Sequence, residues 1–245
     1  MEHTKLFCFP YAGGSATIYN AWKAYFSANT GIEVIPIELA GRGKRTGQPF
    51  YSDLKDAVED IYQEIKDDIM DTPYTFFGHS LGGLLIYELA QKIKQLDLPQ
   101  PLHIFFSGRG APNIKSEKDK KYHLMDDDEF KQEVLELGGT PRELFEHPEL
   151  RELFLPLLRN DFKLSETKLT GREVSPFDCN ITIFSGKSDR KISAEQLNGW
   201  SAHTNGTCSV HYFNGGHFFL HNEISGITKL IVGALKDREK SLIIV

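Results

Sequence analysis

The sequence predicts an α/β fold: a mainly parallel sheet with helices on both faces and a helical lid inserted late in the chain. Three observations carry this prediction. Apolar runs of strand length alternate with amphipathic helical patterns, and that alternation builds parallel sheets. In the stretch Thr75–Tyr87 (TFFGHSLGGLLIY) a strand-like run passes through a glycine-flanked serine straight into a helix. From about residue 111 to residue 172 the alternation stops, and short helical patterns with mixed charge replace it.

Composition narrows the class of protein. A chain of 245 residues is long enough for one sheet covered on both sides, and 40% hydrophobic with 25% charged residues is ordinary for a globular protein. The net charge of −6 argues against general nucleic-acid affinity. No apolar run reaches the ~18 residues of a membrane span, and the chain enters a strand almost at once, so neither a membrane segment nor a secretory signal is expected. Cys8, Cys179 and Cys208 are odd in number and lack metal-ligand spacing. They read as reduced thiols of a cytoplasmic protein, with no metal site.

The elements follow in order. Lys5–Pro10 is a compact apolar run, hence a buried strand, closed by the turn Tyr11-Ala12-Gly13-Gly14-Ser15. Ser15 can cap the next helix, which carries Ile18, Trp22, Tyr25 and Phe26. Glu33–Leu39 is a second strand, demoted somewhat by Pro36. The loop Ala40-Gly41-Arg42-Gly43-Lys44-Arg45 lacks both the third glycine of a dinucleotide fingerprint and the Gly-Lys-Ser/Thr end of a P-loop. Ser52–Met70 is the clearest helix, with Leu54, Ala57, Val58, Ile61, Ile65 and Ile69 on one stripe. After the elbow strand and its helix come the strand Leu102–Ser107 and the loop Gly108-Arg109-Gly110. Within 111–172, Phe130, Val134 and Leu137 share one helical face. The alternation resumes with a strand at Asn180–Ser185, a helix at Ala194–Ala202, a strand at Ser209–Phe213 and a closing helix at Glu223–Lys236.

Gly78-His79-Ser80-Leu81-Gly82 fits the Gly-x-Ser-x-Gly nucleophile elbow, in which glycines flank the serine because strand and helix pack too closely for a Cβ. The plain alternative is a strand-to-helix turn that happens to hold serine. A serine nucleophile needs a base, and the base needs a group that fixes its tautomer. In a parallel sheet such groups gather beyond the carboxyl ends of the strands. His217 directly follows the last strand on Asn214-Gly215-Gly216, with His221 as runner-up. Asp189 follows the strand Asn180–Ser185 at the same end, whereas Asp178 precedes it and Asp161 lies in the helical stretch. The order Ser80, Asp189, His217 is that of α/β-hydrolases. Residues 1–245 then form a single α/β-hydrolase domain, with 111–172 as its lid. The oxyanion donors expected are the backbone N–H groups of Leu81 and Ala12, with Tyr11 as the alternative to Ala12.

Phe9-Pro10-Tyr11-Ala12-Gly13-Gly14, Gly41-Arg42-Gly43, Gly78-His79-Ser80-Leu81-Gly82-Gly83, Leu155–Phe162 (LPLLRNDF) and Gly215-Gly216-His217-Phe218 together resemble the type II thioesterases. These are stand-alone editing enzymes of nonribosomal peptide and polyketide synthases. The likeness runs from about Lys5 to Leu235. Ala40 departs from it, standing where proline is common, and Asn160 stands where small residues are frequent. The resemblance implies hydrolysis of misprimed or stalled acyl thioesters on the phosphopantetheine arm of an acyl or peptidyl carrier protein, without metal or organic cofactor. It gives Phe130, Leu137, Phe154 and Leu158 a role in lining an acyl pocket, against ordinary packing within the lid. It gives Arg42, Lys44, Arg45 and Arg109 contacts with the carrier's phosphate or acidic helices, against a solvated charged face. A general carboxylesterase or lipase, an acyltransferase and an inactive binding protein of the same fold remain the other readings.

Overall fold

Strand residues alternate between the two faces of the sheet, and in this chain both faces are apolar. The computed structural model describes residues 3–26, 30–115 and 120–243; the first two residues of the chain and part of the 111–172 segment lie outside the described residues. Six strands form one sheet: β1 (Thr4–Phe9), β2 (Ile32–Pro36), β3 (Tyr74–His79), β4 (His103–Ser107), β5 (Asn180–Gly186) and β6 (Cys208–Phe213). Their order is β2-β1-β3-β4-β5-β6, and every pair is parallel. Phe7, Phe9, Phe76, Ile104 and Phe106 face one core, under α1 (Leu54–Asp71) and α2 (Leu81–Gln95). Leu6, Cys8, Phe77 and Phe105 face the other, which takes in Ile227 and Ile231 of the closing helix. Burying each such large side chain contributes roughly 1.5–3 kcal/mol, so the sheet is secured from both sides.

The chain runs outward from β1 to β2, then returns across β1 to β3 and continues in the opposite direction. Loops leaving β1 and β3 therefore part at their carboxyl ends, and that opening is where an α/β sheet offers a site.

Local differences from the sequence reading have physical causes. The helix after β1 is a 3-10 helix over Ala16–Tyr25, capped by Ser15. Three residues per turn align Tyr19 and Trp22, and both rings pack on Phe77. Strand β2 ends at Pro36 on the open edge of the sheet, where the missing N–H removes no ladder bond: the Ile37 N–H still donates to the Cys8 carbonyl at 2.9 Å. The helix predicted over Ala194–Ala202 divides into α6 (Ala194–Asn198) and a 3-10 turn at Gly199–His203. α1 buries the six residues of the expected stripe and is capped by Asp53, whose carboxylate accepts the Asp56 N–H at 2.9 Å.

Between β4 and β5 lie α3 (Asp127–Leu137), α4 (Glu143–Glu146) and α5 (Pro148–Ser165). Phe130, Val134, Phe145 and Leu158 form a small core of their own here. Arg159 ties the segment together: its guanidinium lies 4.6 Å from the Phe130 ring centroid and donates to the Met125 carbonyl at 2.7 Å and to Asp127 at 2.6 Å. The last helix, α7, spans Ile224–Ile243.

Candidate active site

The elbow follows from crowding. A Cβ on Gly78 would lie 2.3 Å from the Gly82 carbonyl oxygen, and one on Gly82 would lie 2.2 Å from that of Phe9. With both neighbours reduced to glycine, Ser80 adopts φ 54°, a left-handed conformation rare for any residue with a side chain. Its N–H is anchored to the Ser107 carbonyl at 2.8 Å. The hydroxyl then stands at the start of α2, where first-turn N–H groups have no acceptor within the helix.

Two more loops converge on that hydroxyl. After β5 the turn returns the Asp189 N–H to the Gly186 carbonyl at 3.0 Å, and the Lys191 N–H donates to the Asp189 carboxylate at 2.9 Å. After β6, Gly215 takes φ 114°, and its carbonyl accepts the Ser188 N–H at 2.9 Å, joining the two loops. Their side chains meet: His217 Nδ1 is 2.8 Å from Asp189 Oδ2, and His217 Nε2 is 3.0 Å from Ser80 Oγ. The Asp189 side chain is 1% exposed and that of His217 is 12%. Facing a carboxylate, Nδ1 carries the proton and donates, which leaves Nε2 to accept from the serine hydroxyl.

Competing candidates are engaged elsewhere. His221 Nε2 is 3.0 Å from the Tyr11 hydroxyl. Asp178 accepts from Lys94 at 2.8 Å and from Asn205 at 2.7 Å, at the opposite end of β5. Asp161 is held by Arg42. His79 is fully buried with Nδ1 2.9 Å from Ser107 Oγ. Burial pushes it well below the ordinary imidazole range, and the neighbouring His217 and His221 charges add to that, so it stays neutral.

The Leu81 N–H opens α2 beside Ser80, and Ala12 sits in the turn after β1. That turn is shaped by Gly14 N–H donating to the Tyr11 carbonyl at 2.9 Å and by Gly13 N–H donating to Asp161 Oδ2 at 2.7 Å. A cavity of about 290 Å³ opens between this edge of the sheet and the helical segment. Ser80, His217 and Ala12 line it, opposite Val134, Leu137 and Phe162.

The basic residues assigned to a carrier surface require correction. Arg42 is buried and spends both amino groups on Asp161, with one also reaching the Gly14 carbonyl at 3.0 Å. Arg45 pairs with Asp60 at 2.7 Å and Glu64 at 3.4 Å, and donates to the Glu38 carbonyl. The Asp60 hydrogen bond raises its pKa. Arg109 lines the cavity, and Lys44 alone of the four is fully exposed. Phe130 and Leu158 lie within the small core of the segment between β4 and β5, not on the cavity; Phe154 packs with Leu158 over Gly13. Of the apolar residues proposed for the lining, Leu137 is on it. Phe162, Ile192 and Phe218 also line it and were missed, because nothing local separates a cavity-facing apolar residue from a core one. Among the described residues no cluster of His, Cys, Asp or Glu could hold a metal ion, and no helix is long and apolar enough to cross a membrane.

Comparison with known proteins gives one consistent answer. Over 217 residues the chain is 38% identical to the gramicidin S biosynthesis protein GrsT of Aneurinibacillus migulanus, covering 89% of this chain and 83% of that protein. The structure superposes on ClbQ from the colibactin NRPS/PKS pathway with a TM-score of 0.90 and 32% identity, over 98% of this chain and 100% of that one. It superposes on YbtT, a type II thioesterase from the yersiniabactin NRPS/PKS pathway, with a TM-score of 0.84 and 25% identity, over 96% and 94%. Residues 4–234 match the thioesterase domain family along nearly their whole length, and the chain belongs to that family.

Proposed function

We propose that this protein hydrolyses acyl thioesters on the phosphopantetheine arm of acyl or peptidyl carrier proteins, clearing misprimed or stalled groups in nonribosomal peptide or polyketide synthesis. The observation that carries the reading is the hydrogen-bonded chain Asp189–His217–Ser80 at the floor of a cavity. The similarity to ClbQ and YbtT, both described with such pathways, supports the substrate class.

Ser80 attacks the thioester carbonyl while His217 Nε2 takes its proton, and Asp189 steadies the imidazolium that forms. The carbonyl oxygen becomes an oxyanion, received by the N–H groups of Leu81 and Ala12; losing one such donor typically costs about 3–4 kcal/mol of transition-state stabilisation. Collapse breaks the C–S bond. The thiol leaves readily, having a pKa near ~8.5, and the proton on His217 is available to it. Water, deprotonated by the same histidine, then releases the acyl group from Ser80. The segment between β4 and β5 acts as a lid that shelters the acyl-enzyme. None of these steps calls for a cofactor.

The test compares turnover of an acylated carrier protein with that of a simple oxygen ester of the same acyl chain. Preference for the carrier-bound thioester is the expected result. Equal or better turnover of the free ester would make the protein a general carboxylesterase.

A further inference from the structure

The cavity holds more positive charge than the proposed chemistry uses. The chain as a whole has a net charge of −6, yet Arg109, Lys115, Lys120, Lys168 and Lys191 line the cavity. The one carboxylate among its described lining residues is Glu166, already taken by His123 at 2.6 Å. Lys115, Lys120 and Lys168 are exposed at the rim, whereas Arg109 is recessed.

Arg109 is held in place on three sides. Its carbonyl accepts from the buried Trp200 Nε1 at 2.9 Å. Its aliphatic stem crosses Gly83, where a Cβ would stand 3.1 Å from Arg109 Cβ. Its guanidinium donates to the hydroxyl and carbonyl of Ser165, each at 3.1 Å, at the carboxyl end of α5. Among the described residues it has no carboxylate partner, and burial draws its pKa down to about 10. A guanidinium has five donors, and Ser165 uses two of them. A partly buried cation with donors to spare, its stem packed on Gly83 three residues along α2 from the nucleophile, is a ready counter-charge for an anion.

We propose that Arg109 recognises an anionic group on the acyl part of the substrate: a carboxylate a few carbons from the thioester carbonyl, as in a short dicarboxylic or acidic aminoacyl group. The proposal rests on the thioesterase reading above. Position favours the acyl group over the phosphate of the arm. The phosphate lies beyond two amide units from the sulfur, whereas Arg109 packs on Gly83 in the first turn of α2.

The test uses succinyl and butyryl thioesters of N-acetylcysteamine, which carry no phosphate, and the same acyl groups on pantetheine 4′-phosphate. Wild-type protein is compared with Arg109→Gln, which removes the charge but keeps a donor for Ser165. The ratio of kcat/KM for succinyl over butyryl is expected to fall about tenfold or more in the variant, on both carriers. An unchanged ratio overturns the proposal. So does a loss seen only with the phosphorylated arm and equal for both acyl groups, which would assign Arg109 to the phosphate. A wild-type preference for butyryl of more than about tenfold overturns it without any Arg109 variant. Calorimetric binding of the two N-acetylcysteamine thioesters to Ser80→Ala needs no turnover: tighter succinyl binding supports the proposal and equal binding overturns it. If wild-type protein also fails to discharge either acyl group from a carrier protein, the thioesterase reading fails, and this binding result still decides the role of Arg109.

Discussion

Asp161, on α5, and Arg42, in the loop after β2, form a two-pronged ion pair with both N···O distances at 2.7 Å. The Asp161 side chain is 0% exposed and that of Arg42 is 5%. The same Asp161 oxygen that accepts from Arg42 accepts the Gly13 N–H, and Arg42 reaches the Gly14 carbonyl. The turn that carries Ala12 is thus bound to α5 through one buried carboxylate.

Removing that carboxylate leaves the guanidinium buried without a counter-charge. Asp161→Asn is expected to destabilise the protein by about 3–5 kcal/mol, the range for breaking a buried pair. In the fraction that remains folded, kcat should fall more than KM rises, because in the proposed mechanism the Ala12 N–H is needed most by the oxyanion. Denaturant unfolding and steady-state kinetics check the two parts. Loss of stability with unaltered kcat would make the pair purely structural.

The elbow glycines should differ sharply in tolerance. A Cβ on Gly82 meets the Phe9 carbonyl at 2.2 Å, backbone that cannot move without shifting β1. Gly82→Ala is expected to abolish soluble expression. A Cβ on Gly83 meets the Arg109 side chain at 3.1 Å and the Gly78 carbonyl oxygen at 3.4 Å, contacts that a shift of a few tenths of an ångström relieves, and alanine favours the helix by up to about 1 kcal/mol. Gly83→Ala should remain within about 1 kcal/mol of the parent. Soluble yield of both variants, with thermal unfolding of Gly83→Ala, reads the contrast directly.

In the proposed mechanism Asp189 acts through His217, so Asp189→Asn should leave folding nearly intact and disturb the tautomer. An asparagine can present its amide to Nδ1, which places the ring proton on Nε2, where it cannot accept from Ser80. The expected fall in kcat is about 10³–10⁴-fold. A fall below about tenfold would remove Asp189 from the chain of proton transfer.

Acid should destabilise the fold through buried histidines. His203 is fully buried, with Nε2 donating to Asn113 Oδ1 at 2.8 Å, and burial lowers its pKa from 6.5 to about 4. The unfolded chain takes up this proton below about pH 6.5, but the folded protein only below about pH 4. Stability is therefore complete above pH 6.5 and declines as pH falls towards 4, by at most about 3 kcal/mol for this group. His79, lowered for the same reason, adds in the same direction. His203→Gln should flatten the decline in unfolding free energy between pH 7 and 5; an unchanged slope would assign it to other groups.

Much of the fold was legible because it depends on local patterns. The six-residue stripe of α1, the apolar strands and the elbow glycines each follow from spacing and residue size alone. The meeting of Ser80, Asp189 and His217 at one edge follows from strand order, since all three lie just beyond carboxyl ends of parallel strands. What was not legible depends on partners distant in the chain. Arg42 reads as a surface cation because nothing near it announces Asp161, which is 119 positions away. Arg45 reads the same way, and its acids sit on α1. Phe130 and Leu158 have the composition of pocket residues, and only the packing of α3 against α5 turns them inward. The 3-10 winding of Ala16–Tyr25 answers to the Phe77 ring on another strand, not to its own sequence.

The central claim is that Ser80 takes the acyl group from a carrier-bound thioester and passes it to water. Intact-mass spectrometry of acylated carrier protein, incubated with wild-type protein and with Ser80→Ala, tests it most directly. The account predicts loss of the acyl mass to leave free phosphopantetheine thiol with wild type, and retention with the variant. Acyl carriers left intact by wild type, or discharged equally well by Ser80→Ala, would contradict it.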